Sequence, residues 1–192
     1  MLIFTLCLAV NLSAQTEKDS LYIDLNFKSI SKVAFTDYLL KDVKRVTNEK
    51  ESDSTFFKKR GLTFIEYCDQ ICESGLKEDE TGKELWIAGS FDLGALSISF
   101  SKDRTYLLVC SSYDGSDYDN YYDFRADINI YKVTNNKGLK GIQPYLIFQT
   151  KDYSIEDIVW VNKNTLAIKI YTEDRTGNGE NLKFKYLKTS FK

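Results

Sequence analysis

From residue 85 onward the chain is written in short apolar segments of strand length, each closed by residues that turn the backbone. The segments are 85–90, 95–100, 105–113, 127–133, 145–150, 155–161, 165–172 and 182–188. Between them stand Ser101-Lys102-Asp103, Asn135-Asn136-Lys137-Gly138 and Gly177-Asn178-Gly179, residue types that form tight turns or tolerate positive φ. Short links between consecutive strands place neighbours antiparallel, because a parallel pair needs a long crossover. The second part of the chain is therefore expected to be an antiparallel meander of about seven to eight strands.

The first part reads differently. Leu21, Ile23, Leu25 and Phe27 alternate with Tyr22, Asp24, Asn26 and Lys28, the period-two pattern of a half-buried strand. Phe35, Leu39, Val43 and Val46, with Tyr38 beside them, recur at helical spacing and predict an amphipathic helix over 31–46. Residues 48–54 are polar and read as a loop. A second helix is expected over 63–74, with Phe64, Cys68, Ile71 and Cys72 on one face and Gly75 closing it. Residues 76–83 read as a charged link. The expected class is α+β, with two N-terminal helices packed on a blade-like sheet. The chain is expected to divide into a leader at 1–14 and one domain at 15–192, with a strand and helices in 15–83 and mostly antiparallel strands in 84–192.

Residues 1–14 form an apolar run without a charge before Glu17, ending in Asn11-Leu12-Ser13-Ala14. Such a run is too short to cross a bilayer and has the form of a signal-peptide core, with cleavage expected between Ala14 and Gln15. The basic stretch that usually precedes such a core is missing, so the expectation is either a start a few residues upstream or a trimmed sequence. Phe4-Thr5-Leu6 before Cys7 lacks the small residues of a lipidation site. Export to the periplasm or medium without a lipid anchor is the expectation. Cys68, Cys72 and Cys110 would remain in the mature chain. Cys68 and Cys72 lie four apart on the expected second helix, where a bridge between them would be strained, and either could meet Cys110 instead.

The segment Phe100-Ser101-Lys102-Asp103-Arg104-Thr105-Tyr106-Leu107-Leu108-Val109 resembles the strand-turn-strand core of WD40-like β-propeller blades, where Ser-Pro-Asp-Gly precedes an apolar strand. Lys102 stands at the proline position and Arg104 at the glycine position. Trp160-Val161-Asn162-Lys163-Asn164-Thr165-Leu166-Ala167-Ile168 looks like a second copy. The resemblance covers roughly 96–133 and 155–188. It implies a blade-like antiparallel sheet and no functional residue, and the chain is too short for the four blades of a closed propeller.

Histidine is absent, which removes Ser-His, Cys-His and HExxH chemistry together, while carboxylate-only catalysis stays open. Glu156 with Asp157, and Glu173 with Asp174, are adjacent pairs whose members face opposite ways on a strand. No catalytic residue and no cofactor is expected. A net charge of −2 argues against nucleic acid, and Lys58-Lys59-Arg60 reads as an ordinary solvated turn.

The segment between the third and fourth of these strands carries the candidate site. Tyr113, Asp114, Asp117, Tyr118, Asp119, Tyr121, Tyr122 and Asp123 set tyrosine rings among carboxylates. Rigid rings among anions suit a contact with a basic protein surface, or with a sugar. Asp117, Asp119 and Asp123 have part of a calcium-loop spacing, but the glycine and the terminal glutamate of an EF-hand are missing, so no metal is expected. The leading expectation is an exported binding domain, of inhibitor or immunity type. A carbohydrate-binding or carboxylate-dependent glycan-processing protein is the alternative.

Overall fold

A computed structural model describes residues 25–48, 53–69, 72–88, 95–113, 123–172 and 182–192. The expected leader 1–14 and the start of the first expected strand lie outside these residues. The chain is mainly antiparallel sheet with some helix, as an α+β reading expects. Instead of one meander there are three sheets. Strand β1 (Lys28–Ser29) is followed by helices α1 (Lys32–Asn48) and α2 (Asp53–Lys59). Strands β2 (Leu62–Cys68), β3 (Cys72–Glu78) and β4 (Glu84–Ala88) form a first sheet. A second is the up-and-down array of β5 (Ser97–Phe100), β6 (Tyr106–Ser112), β7 (Ala126–Val133) and β8 (Ile142–Thr150). The third takes β9 (Ser154–Asn162), β10 (Thr165–Tyr171) and β11 (Lys185–Ser190), with β1 paired on its edge.

The β5–β8 sheet is central. Leu108, Cys110, Ile128, Ile130 and Leu146 pack with Ile158, Trp160, Leu166 and Ile168 of the β9–β11 sheet. On the opposite face Leu107, Val109 and Val133 meet Phe56 and Phe57 of α2, Leu62, Leu76 and Ile87. Strand β6 is thus buried on both sides, which is why its sequence is a continuous apolar run instead of an alternating one. Helix α1 covers the outer face of the β9–β11 sheet through Phe35, Tyr38 and Leu39 against Val159, Ala167 and Tyr186. Ser31 caps that helix by accepting the Ala34 N–H at 3.1 Å. Val43, expected on the buried stripe, is 52% exposed, and the described residues of the helix in this cluster are Phe35, Tyr38 and Leu39.

The expected helix over 63–74 is corrected to a β-hairpin: β2 and β3 pair from Leu62↔Glu78 to Cys68↔Cys72. The apolar spacing fitted a helix, but Thr63, Phe64, Ile65 and Tyr67 are residues that suit a pleated surface, and the pairing partner decides. The hairpin also corrects the cysteine expectation. Across two strands, four residues of separation put the cysteines opposite each other, and Cys68 and Cys72 form a disulfide. Cys110 is free and buried. Gly75, expected to end a helix, sits mid-strand, and the supposed link contains Leu76, which is fully buried. The second helix lies earlier instead, at Asp53–Lys59, anchored by Phe56 and Phe57.

The Ser101–Arg104 turn fixes the start of β6. Ser101 Oγ accepts the Tyr106 N–H at 3.0 Å and donates to Asp103 Oδ1 at 2.9 Å. Arg104 has φ +56°, the left-handed region that favours glycine. Its guanidinium lies 4.8 Å over the Phe56 ring and 3.4 Å from Asp53, contacts a glycine would forfeit.

Candidate functional site

Of the residues expected at the acidic, tyrosine-rich segment, Tyr113 and Asp123 lie within the described residues. Asp114, Asp117, Tyr118, Asp119, Tyr121 and Tyr122 lie outside them. What the structure describes is the base from which the segment departs. The β6–β7 ladder ends at Ser112↔Ala126, and one further bond, Tyr113 N–H to the Arg125 carbonyl at 2.9 Å, extends it. Asp123 follows on the exposed side.

Arg125 locks this base. It is 4% exposed, with Nε donating to Ser154 Oγ at 3.1 Å and one terminal nitrogen donating to the Thr172 carbonyl at 2.7 Å. Ser154 Oγ in turn donates to the Tyr113 carbonyl at 2.7 Å, and the Ile155 N–H donates to Ser112 Oγ at 2.8 Å. One buried guanidinium therefore ties the central sheet to the β9–β11 sheet next to Tyr113, where the described chain stops before the segment. Thr172 is the last described residue before 173–181, so both that stretch and 114–122 join the structure at the same end of the molecule. Composition alone had not singled out Arg125. A lone arginine between the acidic run and an apolar strand was the available signal.

The other end has the opposite character. The loop after β7 begins about 25 Å from the Arg125 end, the length of an eight-residue strand. There a groove of about 670 Å³ is lined by Lys58, Lys59, Arg60, Lys83, Lys137 and Lys140, with Glu78 and Glu80 as the carboxylates. The run 58–60, read as a solvated turn, is one wall of it. The remaining cations come from separate turns and are scattered in sequence, so no basic cluster was visible there.

Backbone bonds hold the three segments of this groove together. The Gly138 N–H donates to the Arg60 carbonyl at 2.8 Å and the Asp79 N–H to the Gly61 carbonyl at 2.9 Å. Glu78 braces the groove, accepting the Leu139 N–H at 3.1 Å and the Thr81 hydroxyl. The Thr81 hydroxyl and then the Leu139 N–H hold the Glu78 carboxyl below its ordinary range. Gly138, at φ +66°, is the residue that lets Glu78 pass, since a Cβ there would overlap its carboxylate.

Elsewhere, burial followed by the charge of Asp127 pushes the Tyr131 phenol up to about 12. Burial also pushes the Cys110 thiol far above its ordinary value, so it is a packing residue instead of a nucleophile. No helix of the described residues is long and apolar enough to cross a membrane.

No protein-family model, no curated protein and no solved structure matches this chain. Function therefore has to be argued from these side chains and their placement.

Proposed function

We propose that the protein is an exported, non-enzymatic binding domain that engages a protein partner with a basic surface through residues 113–123. The observation that carries this reading is the Arg125 lock. A segment rich in aspartate and tyrosine leaves a base joined to two sheets by buried charge-assisted hydrogen bonds. A fixed base lowers the ordering cost of binding, and tyrosines among carboxylates supply rings and charge for a basic face. The Cys68–Cys72 disulfide supports export, since such bonds persist in oxidising compartments. The blade-like reading of the β5–β8 sheet remains our own, supported by its up-and-down strand order.

The test is site-specific photo-crosslinking. A crosslinking residue placed at Tyr118 should trap a discrete partner from the native source, and one placed at Tyr38 should not. Equal trapping at both positions contradicts the reading.

A carbohydrate-binding reading is favoured by a different observation. On the first sheet Trp86 is 44% exposed and its ring lies over Gly75, where a Cβ would stand 3.1 Å from it; Tyr67, further along the sheet, is 59% exposed. A flat ring on an open sheet face suits sugar stacking. Glycan binding abolished by Trp86→Ala, with the crosslink at Tyr118 absent, would select this reading over the first.

A further inference from the structure

We infer that the groove between the end of α2, the β3–β4 turn and the loop 134–141 is a second binding site, and that it takes an acidic peptide segment. It lies at the opposite end of β7 from the proposed partner segment and does not depend on that reading.

Charge is the first argument. Six cationic side chains face two carboxylates in this groove, although the chain as a whole carries a net charge of −2. Such a local excess is not produced by overall composition. Among the described residues, Lys58, Lys83, Lys137 and Lys140 make no ion pair, and all four are exposed. Glu78 offsets part of this, since after its hydrogen bonds to Thr81 and the Leu139 N–H the charges of Lys83 and Lys140 also hold its carboxyl below the ordinary range, but the groove still carries more cations than carboxylates.

The form of the groove selects the ligand. A compact phosphate is usually cradled by several backbone N–H groups pointing inward. Here the N–H groups of Arg60, Gly61 and Gly138 donate to the carbonyls of Phe57, Lys58 and Arg60. What remains is a set of separate ammonium groups delivered by three different segments. They suit a ligand whose negative charges are themselves spread out. In an extended peptide, side chains on one face recur about every 7 Å, which lets successive carboxylates meet successive lysines. Glu80 on the rim then becomes an acceptor for peptide N–H groups. A sulfated glycan or a nucleic-acid strand offers it mostly further negative charge.

The walls are already positioned. The bonds Gly138 to Arg60, Asp79 to Gly61 and Leu139 to Glu78 join the three segments without a ligand. Arg60 is held by stacking 3.7 Å from the Phe56 ring centroid. An acidic peptide therefore meets a groove whose backbone does not have to be assembled first.

The experiment uses the full chain and a short fluorescein-labelled oligoglutamate, read by anisotropy. Binding is expected at low ionic strength and should weaken steadily as salt is raised. Lys137→Glu with Lys140→Glu should weaken it by about tenfold or more. Lys58→Gln with Lys137→Gln, which only neutralises two exposed side chains, should weaken it less. Unchanged circular dichroism in both variants ensures that the loss reports the groove. A variant with Asp117, Asp119, Tyr121 and Tyr122 replaced should bind the oligoglutamate as the wild type does, which separates this site from the proposed partner segment. Equal affinity of wild type and the Lys137/Lys140 variant overturns the inference. So does binding of heparin or pyrophosphate with no binding of oligoglutamate.

Discussion

Arg125 illustrates how much one side chain can hold. Its bonds to Ser154 and to the Thr172 carbonyl are made in an almost fully buried setting, so removing the guanidinium leaves acceptors without solvent. Arg125→Ala is expected to lower unfolding stability by about 2–3 kcal/mol in urea denaturation, the usual range for buried hydrogen bonds to a charged group. Arg125→Lys should recover only part, because an ammonium lacks the fork that reaches both partners. Asp157 gives a prediction of a different kind. Burial raises its carboxyl above the ordinary range, and the Ile158 N–H and Lys169 only partly oppose this. An acid with a raised folded-state pKa favours the fold while protonated, and that contribution is lost as pH rises through the folded value. Asp157→Asn should therefore stabilise the protein near neutral pH, with the gain vanishing below the usual carboxylate range. Thermal melts across that pH window check it. Of these two residues the sequence exposed only Asp157, and only as an unpaired strand carboxylate. Arg125 acquires its role from Ser154 and Thr172, which are far from it in sequence.

The strands after residue 84 were legible because turn chemistry and apolar content agree along each one. The hairpin β2–β3 was not, because its apolar residues happen to recur at a helical interval and its pairing partner lies across a turn. Cys68 and Cys72 were themselves the missed signal: the separation that argues against a bridge on a helix places the two opposite each other in a hairpin. Cys72→Ser, or reduction of the native chain, is expected to cost about 2 kcal/mol, as closing so short a loop implies. The loss should be local, since both cysteines stand at the tip of β2–β3, away from the packed clusters. Hydrogen exchange should accelerate in β2 and β3 and stay unchanged in β6 and β7; acceleration throughout would contradict this. Helix α2 was equally hidden. Its seven residues are too few to show a periodic stripe, and Phe56 and Phe57 become anchors only because Phe100 and Leu107 are there to receive them.

Across the whole molecule, a central sheet covered on both faces has the departure point of the aspartate-rich sequence at one end and a lysine-lined groove at the other. The Arg125 end bears the aspartate-rich segment and the other end gathers lysines from three turns. The acidic character could be read from the sequence because its residues are consecutive. The basic groove could not, because folding assembles it from residues about eighty apart, such as Lys58 and Lys137. Under the two proposals made above, the ends would serve different partners without competing.

That acidic end carries the central claim, and one measurement addresses it most directly. The partner trapped at Tyr118 would be titrated against the wild type and against a variant with Asp117, Asp119, Tyr121 and Tyr122 replaced by Ala. The expected result is a loss of about a hundredfold or more in affinity, as for removal of a contact centre, with an unchanged melting temperature. Unchanged affinity of that folded variant would contradict the claim.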